Sequence, residues 1–69
     1  MYARILQNAA HVRRFTITAT SSSGWEVRDE EDSLIIKSRR YDDWHRVERA
    51  RLTFAAAAEN LRDAGWVEA

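Results

Sequence analysis

The 69-residue sequence contains no cysteine and no proline, and it has only two glycines. The lack of cysteine excludes disulfides, thiolate-bound zinc, cysteine-ligated iron–sulfur clusters and a cysteine nucleophile. Gly24 and Gly65 are too far apart to build a phosphate-cradling loop, which needs several glycines close together in the sequence. These absences remove the usual covalent and metal-based means of stabilising so small a domain.

The charge and the hydrophobicity of the chain are both balanced. Eleven basic and eleven acidic side chains cancel, so the net charge gives no support to nucleic-acid binding of the non-specific, electrostatic kind. No apolar run reaches the roughly 20 residues of a membrane span, and residues 1–10 lack the features of a secretory signal. The fractions of hydrophobic (45%) and charged (32%) residues are those of a folded protein. We therefore expect one small cytoplasmic domain over residues 1–69 and no membrane partner.

Three segments alternate apolar and polar side chains with the period of two that is typical of a half-buried β-strand. They cover residues 12–20, 25–30 and 34–40, and the turn sequences SSSG and EEDS separate them. Residues 1–7 also alternate, which leaves a fourth, earlier strand as an alternative. Short polar connections between successive strands predict an antiparallel meander.

The alternation also assigns side chains to the two faces of the sheet. In the third segment, Leu34 and Ile36 are predicted to face the core, whereas Ile35, Lys37 and Arg39 are predicted to face solvent. The other strand residues predicted to face the core are Phe15, Ile17, Trp25 and Val27.

From residue 42 to residue 64 the apolar period changes to three and four, as on one face of an α-helix. Its apolar stripe consists of Val47, Ala50, Phe54, Ala57, Ala58 and Leu61. Asp42 or Asp43 is suited to cap the start of the helix. Gly65 is suited to the left-handed residue that ends a helix, which predicts a Schellman-type contact between Leu61 and Trp66.

A meander with one apolar face and a helix with one apolar stripe can each bury that surface only against the other. The sequence therefore predicts an α+β fold, in which a two-layer antiparallel β-meander of three or four strands packs against one long C-terminal α-helix. Such a domain uses nearly all its apolar surface for its own core, which leaves little for a deep pocket. We therefore do not expect an enzyme.

The stretch YDDWHRVERARLTF at residues 41–54 holds the densest concentration of reactive side chains. On a helix, Asp42, His45 and Glu48 would form a row that could hold a divalent metal ion. A metal site normally takes three or four ligands with a supporting outer shell, whereas carboxylates at a helix start are typical of a cap. We therefore predict a helix start here, with no catalytic residue, no metal and no cofactor.

Two functions remain open, and the first is contact with another protein or with a second copy of the chain. The outer strands of a sheet leave backbone groups unpaired, and a marginally stable domain gains stability by binding a partner. The candidate contact residues are Tyr2, Ile5, Ile35, Leu52 and Ala56.

The alternative is nucleic-acid binding by the open face of the sheet, where the strand phases predict a local excess of positive charge. The candidate contact residues are Arg14, Arg28, Lys37 and Arg39. A three-stranded sheet backed by one helix resembles, in architecture, the plant AP2-type domains and the arm-binding domains of phage integrases, which lay the sheet in the major groove. Glu26 and Glu30 on the same predicted face would neutralise part of this charge.

Overall fold

A computed structural model of the chain describes residues 1–69. The bounds of its elements are β1 (Tyr2–Asn8), β2 (His11–Ala19), β3 (Trp25–Glu31), β4 (Leu34–Tyr41), α1 (Trp44–Asp63) and β5 (Val67–Glu68). The strands form one antiparallel sheet in the order β4-β3-β2-β1-β5. The predicted α+β meander with one long helix is confirmed, but the sheet has five strands where three or four were predicted. No helix combines the length and the apolar character that a membrane crossing needs.

The helix packs on one face of the sheet and closes a small core. The buried residues are Leu6, Phe15, Ile17, Val27, Val47, Phe54 and Ala58. The rings of Phe15 and Phe54 meet across the two layers, with their centroids 5.1 Å apart. Each large side chain buried in this way stabilises the fold by roughly 1.5–3 kcal/mol.

Both ends of α1 form as the sequence predicts. Asp43 is the N-cap, and its Oδ1 accepts a hydrogen bond of 2.9 Å from the backbone N–H of His45. At the other end, Gly65 has φ = 102°. The backbone N–H of Trp66 donates to the carbonyl oxygen of Leu61 at 3.0 Å, which is the bond that defines a Schellman motif. The side chains of Leu61 and Trp66 are both packed against the core.

The two-residue turn between β3 and β4 is fixed to strand β2. Asp32 and Ser33 both have positive φ, as a tight hairpin turn requires. The Asp32 carboxylate accepts hydrogen bonds of 2.8 Å from the Val12 backbone N–H and from the His11 ring. The hydrogen bond between the Asp32 carboxylate and the His11 ring raises the pKa of His11, because the carboxylate favours the protonated ring.

The predicted phase of β4 is correct at Leu34 and Ile35 and is wrong after them, because the strand contains a bulge. Asp29 pairs with Lys37 but the next residue, Glu30, pairs with Ile35, so Ile36 has no partner on β3. The extra residue reverses the alternation in the rest of β4. Leu34 and Ile36, which were predicted to lie in the core, are 73% and 55% exposed.

The bulge also moves two predicted open-face residues to the helix side of the sheet. Lys37 is paired with Asp29, and Arg39 is paired with the buried Val27. Residues paired directly across neighbouring strands share a face of the sheet. The prediction that Lys37 and Arg39 lie on the open face is therefore wrong.

Candidate functional site

Three exposed aliphatic residues form an apolar cluster on β4, at one edge of the sheet. Leu34, Ile35 and Ile36 are consecutive and are 73%, 56% and 55% exposed. β4 pairs with β3 alone, so the backbone groups on its outer side have no partner strand. We call the outer side of residues 34–41 the β4 edge.

The distribution of ion pairs sets β4 apart from the rest of the molecule. Five arginines lie within 4.0 Å of a carboxylate, and these are Arg4, Arg13, Arg28, Arg51 and Arg62. The six basic residues outside these pairs are Arg14, Lys37, Arg39, Arg40, Arg46 and Arg49. All of these except Arg14 belong to β4 or to the first half of α1. The basic residues without an ion pair are thus concentrated in residues 37–49, a stretch that also holds the carboxylates of Asp42 and Asp43.

Part of that charge surrounds a groove of about 440 Å³ between β4 and α1. The lining residues are Val27, Lys37, Tyr41, Arg46, Arg49, Ala50, Thr53 and Phe54. Three of them are cations and none carries a carboxylate or an imidazole. The apolar residues of this set come from β3, β4 and α1, so the groove follows the seam between the two layers. We call it the β4–α1 groove.

The structure separates the four basic residues that were predicted to act together on the open face. Arg28 remains there, but its guanidinium lies 3.0 Å from Glu26 and 3.4 Å from Glu30. Ser38 also donates to Glu26, so this part of the open face is neutralised. Arg14 shares the face, since it is paired with Glu30 in the register of β2 and β3. Lys37 and Arg39 lie on the opposite face, as described above.

The five predicted protein-contact residues do not form one patch either. Ile35 and Leu52 are 56% and 58% exposed, and Ala56 is also exposed. Tyr2 is half-buried and packs against the core. Ile5 is half-buried and lies on β1, which two strands separate from β4. Of the five, only Ile35 belongs to the exposed cluster at the β4 edge.

In the row of Asp42, His45 and Glu48, only Glu48 has a side-chain partner. Asp43, next to Asp42, caps the helix, and the Glu48 carboxylate accepts hydrogen bonds from Arg51. This interaction lowers the pKa of Glu48, because the guanidinium favours its charged form. Nowhere in the structure do three His, Asp or Glu side chains come together in an arrangement that could hold a metal ion.

Five residues of the β4 edge and the β4–α1 groove were not identified from the sequence as surface sites. They are Leu34, Ile36, Arg40, Arg46 and Arg49. Two signals were available, namely three consecutive large aliphatic residues next to a turn, and two arginines spaced three apart in the first turns of a helix. Comparisons of the chain with protein-family models, with curated proteins and with solved structures give no match.

Proposed function

We propose that the protein is a non-enzymatic interaction domain that self-associates through the β4 edge. Two copies would pair their β4 strands antiparallel about a two-fold axis and so form one continuous ten-stranded sheet. The observation that carries the proposal is the exposure of Leu34, Ile35 and Ile36 on a strand whose outer backbone groups are unpaired. Strand pairing would satisfy those groups and bury the apolar cluster at the same time.

Charge complementarity favours a second copy as the occupant of this edge. The apolar cluster lies between an acidic turn, with Glu31 and Asp32, and a basic segment, with Lys37 and Arg39. In an antiparallel register centred on Ile35, each apolar cluster would meet its counterpart. The basic segment of each copy would then run past the acidic turn of the other. A register that set the basic segments of the two copies opposite each other would be disfavoured, because like charges repel.

A two-fold arrangement also limits the assembly to a dimer. An interface between identical β4 edges uses both of those edges, so it is closed and does not propagate. At the opposite edge, β5 pairs with Leu6 and Gln7 of β1, and no run of exposed aliphatic residues comparable with residues 34–36 lies there. Association would give a chain with only seven buried residues further apolar burial, and binding adds to the stability of the folded state.

Light scattering coupled to size-exclusion chromatography tests the proposal. We expect the wild-type protein to approach twice the 8.0 kDa mass of the chain as its concentration rises. The double variant Leu34→Lys/Ile36→Lys should be a monomer with an unchanged circular dichroism spectrum, because both side chains are exposed in the single chain.

Leu52→Lys provides the matched control, since Leu52 is a similarly exposed aliphatic residue on the helix. This control variant should dimerise like the wild type. A wild-type protein that stays monomeric at every accessible concentration would refute the proposal. Loss of the dimer in Leu52→Lys but not in the double variant would refute the β4 edge as its site.

A further inference from the structure

The β4–α1 groove is separate from the backbone edge that would join two copies. Its residues lie on the helix side of β4 and on α1, and all of them belong to one chain. We infer that this groove binds single-stranded nucleic acid, with phosphates held by its rim and a base held against its floor. Lys37 also belongs to the basic segment that would pass a second copy, whereas Arg46 and Arg49 belong to α1 alone, so binding by the two arginines requires no dimer.

The rim supplies three cations that form no ion pair within the chain. Lys37 stands on the β4 side of the groove, and Arg46 and Arg49 stand on the α1 side. All three are exposed, and none has a carboxylate within ion-pair distance. Asp29, the cross-strand neighbour of Lys37, is occupied by two hydrogen bonds of 2.9 Å from Arg13. A polyanion would therefore meet a ready set of cations without displacing an internal partner.

The floor of the groove suits a flat, weakly polar group. Tyr41 is half-buried and lines the groove beside Ala50 and Val27. Single-stranded nucleic acids are commonly held by a basic groove in which bases stack on aromatic side chains or on guanidinium planes. Two of the three rim cations are arginines, which provide both the fork that matches a phosphate and a plane for stacking.

The extent of the charge favours a polymer over a small phosphate-bearing ligand. Arg39 lies on the same face of β4 but outside the groove lining, so the positive charge continues beyond the volume that one nucleotide would fill. Small-molecule sites usually enclose most of their ligand, whereas the rim residues of this groove remain exposed.

An acidic peptide is the other polyanion to consider, and the geometry favours it less. Peptides in extended form gain most from the unpaired backbone groups of a strand edge, and the groove lies on the face of β4 instead. An acidic side chain also has no flat apolar group to lie against Tyr41, whereas every base has one.

The test is fluorescence anisotropy with a labelled single-stranded oligothymidine in low salt and in a salt series. The wild-type protein should bind with an affinity that falls as salt rises. Arg46→Gln/Arg49→Gln should bind at least about 10-fold more weakly, and the slope of log K against log salt should decrease by about 1.4, or about 0.7 for each lost phosphate contact. The matched control is Arg14→Gln/Arg40→Gln, which removes the same charge from basic residues that also lack ion pairs but lie outside the groove. Its affinity should stay within about 2-fold of the wild type.

Three results would overturn the inference. The first is the absence of binding in low salt. The second is an equal loss of affinity in the two double variants, which would show that only net charge matters. The third is displacement of the oligonucleotide by polyglutamate as effectively as by unlabelled oligothymidine, which would assign the groove to acidic polypeptides.

Discussion

The two edges of the sheet are built differently. At one edge, β5 pairs with β1 through Leu6 and Gln7, and Leu6 is completely buried. At the other edge, β4 has no outer partner and presents Leu34, Ile35 and Ile36 to solvent. The first edge is covered within the chain at Leu6 and Gln7, and the second has no cover from the chain at any residue of β4.

The basic residues of the two edges differ in the same way. Near β5, Arg4 donates two hydrogen bonds of 2.8 and 2.6 Å to Glu68, and Arg62 approaches the same carboxylate. Along β4, Lys37, Arg39 and Arg40 have no such partner. Arginines of equal charge thus hold carboxylates at one edge and have no carboxylate partner at the other.

The largest difference in stability should appear when one leucine is truncated at each edge. Leu6→Ala removes a fully buried side chain and should lower the free energy of unfolding by about 2–5 kcal/mol. Leu34→Ala alters a side chain that is 73% exposed. This variant should change the free energy of unfolding of the monomer by less than about 0.5 kcal/mol. Urea denaturation in dilute solution measures both. Similar losses in the two variants would break the distinction between the edges.

Lowering the pH should have a smaller effect, which is to weaken the β5 edge. The guanidinium of Arg4 lowers the pKa of Glu68 below its usual 4.5, because it stabilises the carboxylate. The pair of Arg4 and Glu68 therefore stabilises the fold above pH 4.5. This stabilisation is lost as the pH falls through the lowered pKa of Glu68. The amide resonances of Val67 and Glu68 in NMR spectra should shift across that range. In Glu68→Gln they should lose this dependence, and unchanged behaviour in the variant would contradict the assigned role of the pair.

Much of the fold follows from local signals in the sequence. Asp43 and Gly65 mark the ends of α1 because capping depends on a few neighbouring residues. The alternation in residues 12–20 identifies β2, since one face of that strand is buried and the other is not. The same reasoning correctly places Phe15 against Phe54, because the helix and the meander each have a single apolar surface.

The parts that were not predicted depend on pairing between distant residues. β5 has only two residues and exists because the chain beyond Gly65 returns to β1. The bulge at Ile36 has no local marker such as glycine, and it reverses the faces of Lys37 and Arg39. The β4–α1 groove was not predicted either, because its cations come from β4 and α1 and come together only in the folded chain.

Amide hydrogen exchange of β4, measured over a series of protein concentrations, tests the central claim most directly. If a second copy pairs with this edge in the register centred on Ile35, the outward-pointing amides of residues 34–36 should exchange rapidly in dilute solution and become protected as concentration rises. The amides of β1 and β2 should show no such trend. Exchange at β4 that is rapid and independent of concentration would contradict the account.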